Sequence, residues 1–508
     1  MRLIKSLYQK FLDWVEKIGN RFPDPAFLFA GIGVVVIFLS WLCYHWDVSV
    51  IHPLEQKTIV AQNLLQGIYL QKMLTDAVKN FAAFPPLATV LVTMVGVAVA
   101  EKTGFIAAAL RAFVLSVPSG LLTSALVFAG VMSSMAADAG YVVLTPLGAV
   151  LFASLGRHPL AGLAAVFAGV SGGYSANLFL TSLDPLLAGL TTKAAQLVDP
   201  NIQVAPSANY YFMAVSTVLL TILGTWVTRR LVEPRLGTWS SSTVAHSSED
   251  PISSDSQGSG NGLLTAQEKK ALAWSLVTGM LWLGVVLYWV LPKSGVLRDE
   301  AGELKPLYDS LVTLMMLGFL LVGLVYGLVM GSIRSTHDVT RMMSDYLATL
   351  SSYIVLSFFA AQMLAYFQWS NLGIIMAVKG AQLLQSLALG GIPLFFFFIA
   401  FVTFINLFMG SASAKWAMMA PVFVPMFMLA GYPPDVTQAA YRVGDSVTNM
   451  ISPLLPYFPI ILAVARKYQP GLGLGTLLSL MLPYAITFGV GWVILFSVWL
   501  VLGLPFGF

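Results

Sequence analysis

Four ionisable residues stand where charge is costly. Asp138 is the only charge between Arg111 and Arg157, and Lys415 the only one between Lys379 and Asp435. Arg442 and Asp445 interrupt an apolar stretch over residues 436–464. Ionisable groups at membrane depth are expensive and mark substrate pathways or proton relays. Arg442 and Asp445, three residues apart, share one helical face and could simply pair. They are also candidates for holding a substrate anion and a coupling cation. Asp138 could carry a proton or cap the helix that follows. Lys415 could reach an anionic substrate, or run its charge outward along its aliphatic stem. Its neighbour Trp416 offers a face to an aromatic substrate, or else packs in the interior or anchors at the membrane interface.

Two short polar segments break apolar runs: Gly172-Gly-Tyr-Ser-Ala-Asn177 and Gly444-Asp-Ser-Val-Thr-Asn449. Irregular backbone at membrane depth survives only where protein or a water-filled cavity satisfies it. Freed carbonyls there, with Asn177, Asn449, Thr448 and Asp445, offer the hard oxygens that a small cation prefers. The bland alternative is that these amides and hydroxyls bond across packed helices. Asp184-Pro185 reads as a helix start, with Asp as N-cap. Gly169-Val-Ser-Gly-Gly173 matches the G-x-S-x-G nucleophile motif. That motif needs a strand-to-helix turn and a partner His, whereas here it lies in an apolar span. His45, His52, His158, His246 and His337 all fall at span ends or in loops, and no metal or phosphate-loop signature is present. An enzyme is not expected.

The elements that position these residues follow from composition. Of 508 residues, 57% are hydrophobic and only 10% charged, against about 25% charged in a soluble domain. Mean hydropathy is +0.81. The solvent for most of the chain must be lipid. The net charge of +4 is small, and no nucleic-acid partner is expected. The one cysteine, Cys43, cannot form an intrachain disulfide. Residues 1–22 carry a Leu3, Ile4, Leu7, Phe11, Trp14, Val15, Ile18 stripe, which predicts an amphipathic helix on the membrane surface.

Spans of about 20 apolar residues are predicted at 26–45, 81–100, 159–183, 210–227, 271–291, 311–330, 346–367 and 436–464. A ninth runs from Leu472 to near Leu504; its length suggests a short surface piece at its start. Residues 112–156 and 391–430 fit no simple span. Each has a polar, small-residue centre, at 133–138 and 410–415, between arms too short for the ~30 Å core. Both are predicted to be re-entrant hairpins. With the N-terminus inside, most Lys and Arg, including Arg229-Arg230, Lys269-Lys270 and Arg466-Lys467, become cytoplasmic. The first hairpin then opens inward and the second outward. Residues 231–268, Ser-rich in their middle, are predicted to form a disordered cytoplasmic linker.

The two halves repeat. Shifted by 275, Pro146 meets Pro421, Phe152 meets Phe427, Gly156 meets Gly431 and Pro159 meets Pro434; after a three-residue slip Gly172 meets Gly444 and Asn177 meets Asn449. Residues 23–230 and 306–504 each read span, span, hairpin, span, span, joined by the span at 271–291. That odd count turns the second half upside down. The predicted class is therefore an all-α polytopic membrane protein with nine transmembrane helices and two hairpins in two inverted repeats, the plan of secondary transporters with a midplane site.

The stretch from Gly156-Arg-His-Pro-Leu-Ala-Gly162 through Asn177 to Asp184 strongly resembles the AbgT family. So does Gly410-Ser-Ala-Ser-Ala-Lys-Trp416 through Arg442-Val-Gly-Asp-Ser-Val-Thr-Asn449. The resemblance covers nearly the whole chain, including Val232-Glu-Pro-Arg-Leu-Gly237, and is closest to the antimetabolite-efflux members. It implies a homodimer in the bacterial inner membrane, each subunit with its own pathway. It also implies transport of p-aminobenzoyl-glutamate or export of sulfonamide-type folate antimetabolites. The family's functional positions match Asp184, Trp416, Pro434 and Arg442, and its sodium site matches Asn406 and Asp445, with Asn449 adjoining. The chain departs from the family pattern at Lys415, where relatives carry an uncharged residue, and at Ser134-Met135, where the nearest have Asn-Thr.

The reading is an ion-coupled secondary transporter for p-aminobenzoate-like aromatic anions. Such a substrate suits Trp416 and either Arg442 or Lys415, with Asn177 nearby. Na⁺ or H⁺ would be the coupling ion, and no other cofactor is expected. The alternatives are import by Na⁺ symport, or an anion channel, which should keep a continuous polar path where the opposed hairpins look like gates.

Overall fold

The computed structural model describes residues 25–51, 57–135, 140–237, 239, 264–292, 294–300, 302, 304–387, 389–452, 455 and 457–508. The amphipathic helix expected over 1–22, Asp138, and residues 240–263 of the expected linker lie outside them.

The described residues are mainly helical, and the strands among them are an antiparallel pair that the sequence did not anticipate, β1 (Ser49–Ile51) and β2 (Thr58–Val60), with Ser49 opposite Val60. The first half begins with α1 (Pro25–His45), short α2 (Gly67–Thr75) and α3 (Ala77–Ala82), and α4 (Pro85–Lys102), which bends by 60° into α5 (Phe105–Ser116). The arms α6 (Leu122–Met132) and α7 (Thr145–Ser154) form the first hairpin. A broken span follows as α8 (Pro159–Gly172) and α9 (Leu183–Ala195), then α10 (Tyr210–Val227) and short α11 (Glu233–Leu236).

The connecting α12 (Ala266–Val290) starts earlier than expected, because Thr265 and Glu268 form a reciprocal capping box. Both ends of the expected linker are therefore helical. The second half is α13 (Lys305–Met330), α14 (Thr336–Thr349) at 51° to α15 (Ser351–Trp369), and α16 (Leu372–Ser386). The hairpin arms α17 (Gly391–Asn406) and α18 (Ala412–Leu429), the broken span α19 (Pro434–Val447) and α20 (Phe458–Tyr468), and α21 (Leu474–Val501) complete it.

Among the described residues six helices are long and apolar enough to cross a membrane, and two bent pairs add one span each. Five of the six are the simple spans α1, α10, α12, α13 and α21; the sixth is the hairpin arm α18. The bent pairs supply α4 and α15. The broken spans α8–α9 and α19–α20 complete the expected nine. The last differs from expectation: residues from Leu474 run as one 28-residue helix containing Pro483, with no separate surface piece.

Packing follows the repeat. Helix α1 packs on α15 while α4 packs on α13; α6 and α7 pack on α8 as α17 and α18 pack on α19; and α10 packs on α21. This reciprocal exchange is what two copies of one unit, related by an in-plane two-fold axis, produce.

The G-x-S-x-G look-alike is a packing device. A Cβ built on Gly169 would lie 2.4 Å from the carbonyl oxygen of Val127 on α6, and one on Gly162 would lie 2.1 Å from that of Gly148 on α7. Backbone cannot yield there as a flexible side chain can. Gly169→Ala should therefore cost about 1–3 kcal/mol by overpacking, read as a lower thermal midpoint of the detergent-purified protein. An unchanged midpoint would mean that α6 and α8 have slack.

Candidate functional site: a buried charge layer beside a polar cavity

Helix α19 carries its polar residues on one face. Gln438, Tyr441, Arg442 and Asp445 follow i, i+3, i+4, i+7 spacing, and all four are buried. In a membrane protein such a stripe turns inward, here onto the first turn of α9 and the tip of the second hairpin.

Two buried ion pairs result, and neither is the Arg442–Asp445 pair that spacing suggested. Arg442 Nη2 donates to Asp184 Oδ1 at 2.5 Å, across 258 residues of sequence. Lys415 Nζ lies 2.6 Å from Asp445 Oδ1, with the Lys415 side chain fully buried, so it does not run outward. Asp184 is not the N-cap either. Ser182 holds that position, and Asp184 sits in the first turn of α9. Its Oδ2 accepts from the Thr181 N–H at 2.5 Å and the Thr181 hydroxyl at 2.8 Å. Both oxygens of Asp184 are thus engaged. By contrast, Arg442 Nε and Nη1 and Asp445 Oδ2 are buried without a hydrogen-bond partner among the described residues.

The asparagines tie each helix break to the hairpin tip of its own half. Asn177 Nδ2 donates to Ser134 Oγ at 3.0 Å. Asn406, at the end of α17, donates to the Asp445 carbonyl at 2.5 Å, Thr448 Oγ1 at 2.9 Å and Asn449 Oδ1 at 2.8 Å, and accepts from Lys415 Nζ. The two breaks also touch, Asn449 Nδ2 donating to the Ser171 carbonyl at 3.3 Å.

Trp416 is fully buried. Its ring stacks on Tyr441 at 4.4 Å, and its Nε1 donates to Thr191 Oγ1 at 2.9 Å. A relay continues from Thr191 to Gln438 Oε1 and from Gln438 to Asn209 Oδ1, at 2.5 and 2.7 Å. Trp416 here orders the layer rather than facing open space. Pro434 is the first residue of α19. It lies about 12 Å along the helix from Arg442 at 1.5 Å per residue, so it starts the helix and does not join the charged group.

The repeat register exposes an asymmetry. Lys415 falls opposite Gly140, Arg442 opposite Val170 and Asp445 opposite Gly173. Trp416 falls opposite Tyr141, which stacks on Tyr457 at 4.0 Å as Trp416 does on Tyr441. The scaffold is duplicated, but three of the four charges belong to the second half.

A cavity of about 520 Å³ adjoins this layer. One wall is Tyr174, Ser182, Leu183 and the second hairpin tip, Gly410 to Ser413; the other includes Glu101, Lys102, Tyr346 and Tyr353 from α4, α14 and α15, with Tyr457. Tyr174 is within electrostatic reach of Asp445, Arg442 and Asp184. Tyr441 Oη lies 2.5 Å from the Ala412 carbonyl oxygen, to which it donates, and 3.1 Å from Asp445 Oδ1, which binds the cavity wall to the charge layer. Its volume suits a drug-sized ligand. Sequence reading missed Tyr174, Thr191, Gln438 and Tyr441. The last two were available from the stripe on α19, and Tyr174 from its place in the 172–177 break; Thr191 carries no local signal.

Two broken spans meeting between two hairpin tips, with buried charge beside a polar cavity, define a membrane transporter of the inverted-repeat class. The chain belongs to the AbgT family: residues 10–508 match the family model described as "AbgT putative transporter family". It is 34% identical over 501 residues to the p-aminobenzoyl-glutamate transport protein of Escherichia coli (strain K12), covering 98% of this chain and 96% of that protein. Two solved structures share the fold. The Alcanivorax borkumensis YdaH transporter, described as having an unusual topology, has 42% identity and TM-score 0.88, covering 96% of this chain and 100% of that one. Neisseria gonorrhoeae MtrF, described as illuminating a class of antimetabolite efflux pumps, has 44% identity and TM-score 0.90, covering 97% and 98%.

Proposed function

We propose that this protein is an ion-coupled secondary transporter of p-aminobenzoate-type aromatic anions. Its work is export of p-aminobenzoyl-glutamate or sulfonamide-type antimetabolites across the bacterial inner membrane, with its N-terminus cytoplasmic. The observation that carries the reading is Arg442, whose Nε and Nη1 are buried without partners. A guanidinium short of acceptors is built to take an anion. The neighbouring cavity, rich in Tyr, suits an aromatic ring. The names of the Escherichia coli and Neisseria gonorrhoeae relatives point the same way.

Charge balance supplies the coupling. Lys415, Arg442, Asp184 and Asp445 sum to zero when all are ionised. Net charge buried in a low-dielectric layer is costly. An anion landing on Arg442 must therefore displace Asp184 from it or arrive with a compensating cation. Either event links substrate to a proton at Asp184 or Asp445. A channel is the weaker reading, since two closed ion pairs, Lys415–Asp445 and Arg442–Asp184, are buried in the layer. A homodimer is the expected assembly.

Export is tested in cells loaded with a labelled sulfonamide. Cells expressing the protein should retain less label than cells expressing Arg442→Ala at equal membrane abundance. Equal retention would remove the export reading.

A further inference from the structure

The cation position beside Asp445 is already filled by the protein itself. Lys415 Nζ lies 2.6 Å from Asp445 Oδ1 and donates to Asn406 Oδ1, with its side chain fully buried. The other oxygens within reach are also claimed by donors. The two protons of the Asn406 amide are shared among the Asp445 carbonyl, Thr448 Oγ1 and Asn449 Oδ1, and the Tyr441 hydroxyl stands 3.1 Å from Asp445 Oδ1. Among the described side-chain oxygens around it, Asp445 Oδ2 alone is unclaimed. A hard metal cation needs several oxygens turned toward it. Here N–H and O–H groups point at nearly all of them, and an ammonium beside the vacant oxygen repels a second positive charge in a medium that screens it poorly. The residues present do not fit Na⁺.

We propose that Lys415 is a tethered cation that takes the place of the coupling metal, so that this chain binds no Na⁺ at the Asn406–Asp445 site and would bind it once the ammonium is removed. The inference rests on the transport reading for its significance, but it is tested on purified protein without substrate. The thermal midpoint is measured in NaCl and in choline chloride at equal ionic strength, together with binding of radioactive ²²Na⁺. Wild type should show the same midpoint in both salts and no saturable Na⁺ binding. Lys415→Ala, or Lys415→Ser where Ala fails to fold, should melt a few degrees higher in NaCl and bind Na⁺ saturably. Adding Asp445→Asn to either should abolish the gain. Saturable binding to wild type overturns the proposal, whatever the variants do. So does a folded Lys415 variant that gains no Na⁺ response. Absence of sulfonamide export would count against the transport reading and leave this result standing.

Discussion

Asp445→Asn is expected to abolish gradient-driven transport. The carboxylate faces Lys415 at 2.6 Å and keeps one buried oxygen without a partner. It is therefore the acid in the layer with an oxygen open to a transported proton. The substitution also strands the Lys415 ammonium. Breaking a buried pair by removing one partner costs about 3–5 kcal/mol, so a lower melting point is expected alongside the functional loss. The double variant Lys415→Met, Asp445→Asn removes both charges and should recover much of that stability without recovering coupling. Reconstituted Asp445→Asn that still follows an imposed ion gradient as wild type does would place the ion site elsewhere.

Arg442→Lys should bind p-aminobenzoyl-glutamate at least 30-fold more weakly than wild type. Arg442 spends one nitrogen on Asp184 and keeps two without partners. A guanidinium can hold Asp184 and a substrate carboxylate together, while an ammonium on a shorter stem cannot reproduce that planar fork. Losing a buried charged contact of this kind costs on the order of 2–5 kcal/mol, at 1.4 kcal/mol per tenfold. Because Lys preserves the charge, it separates the two roles. If Arg442 only neutralises Asp184, the Lys variant titrates normally; near-normal affinity would remove Arg442 from the substrate site.

Much of this architecture was legible in the residues, and the failures have physical causes. The long apolar runs appear as spans because about 20 residues without charge have one use. The break at 172–177 ends α8 at its first glycine, whereas α19 runs on through Gly444 to Val447, and Gly444 instead lets α19 approach the Ile399 carbonyl of α17. Asp184 read as a helix cap and stood out only through the family resemblance, while Lys415, Arg442 and Asp445 were identifiable as chemistry from their setting alone. Their partners were not. The i, i+3 spacing favoured Arg442 with Asp445, yet tertiary packing turns Arg442 toward α9 and Asp445 toward the second hairpin tip. Nothing local encodes a contact across 258 residues. Short α2, α3, α5, α14 and α16 went unseen because, at 6 to 15 residues, each falls below the 20-residue apolar run that marks a span. Trp416 read equally as a face for an aromatic substrate or as an interior residue, because the sequence could not reveal Tyr441 stacked against it.

The most direct test of coupled transport is counterflow and gradient-driven movement of labelled p-aminobenzoyl-glutamate in proteoliposomes, with a proton gradient and a Na⁺ gradient imposed in turn. Wild type should exchange label across the membrane and move it uphill when the proton gradient is imposed, with no response to Na⁺ alone. Label that moves only down its own gradient, indifferent to both ions, would contradict ion-coupled transport and favour a channel.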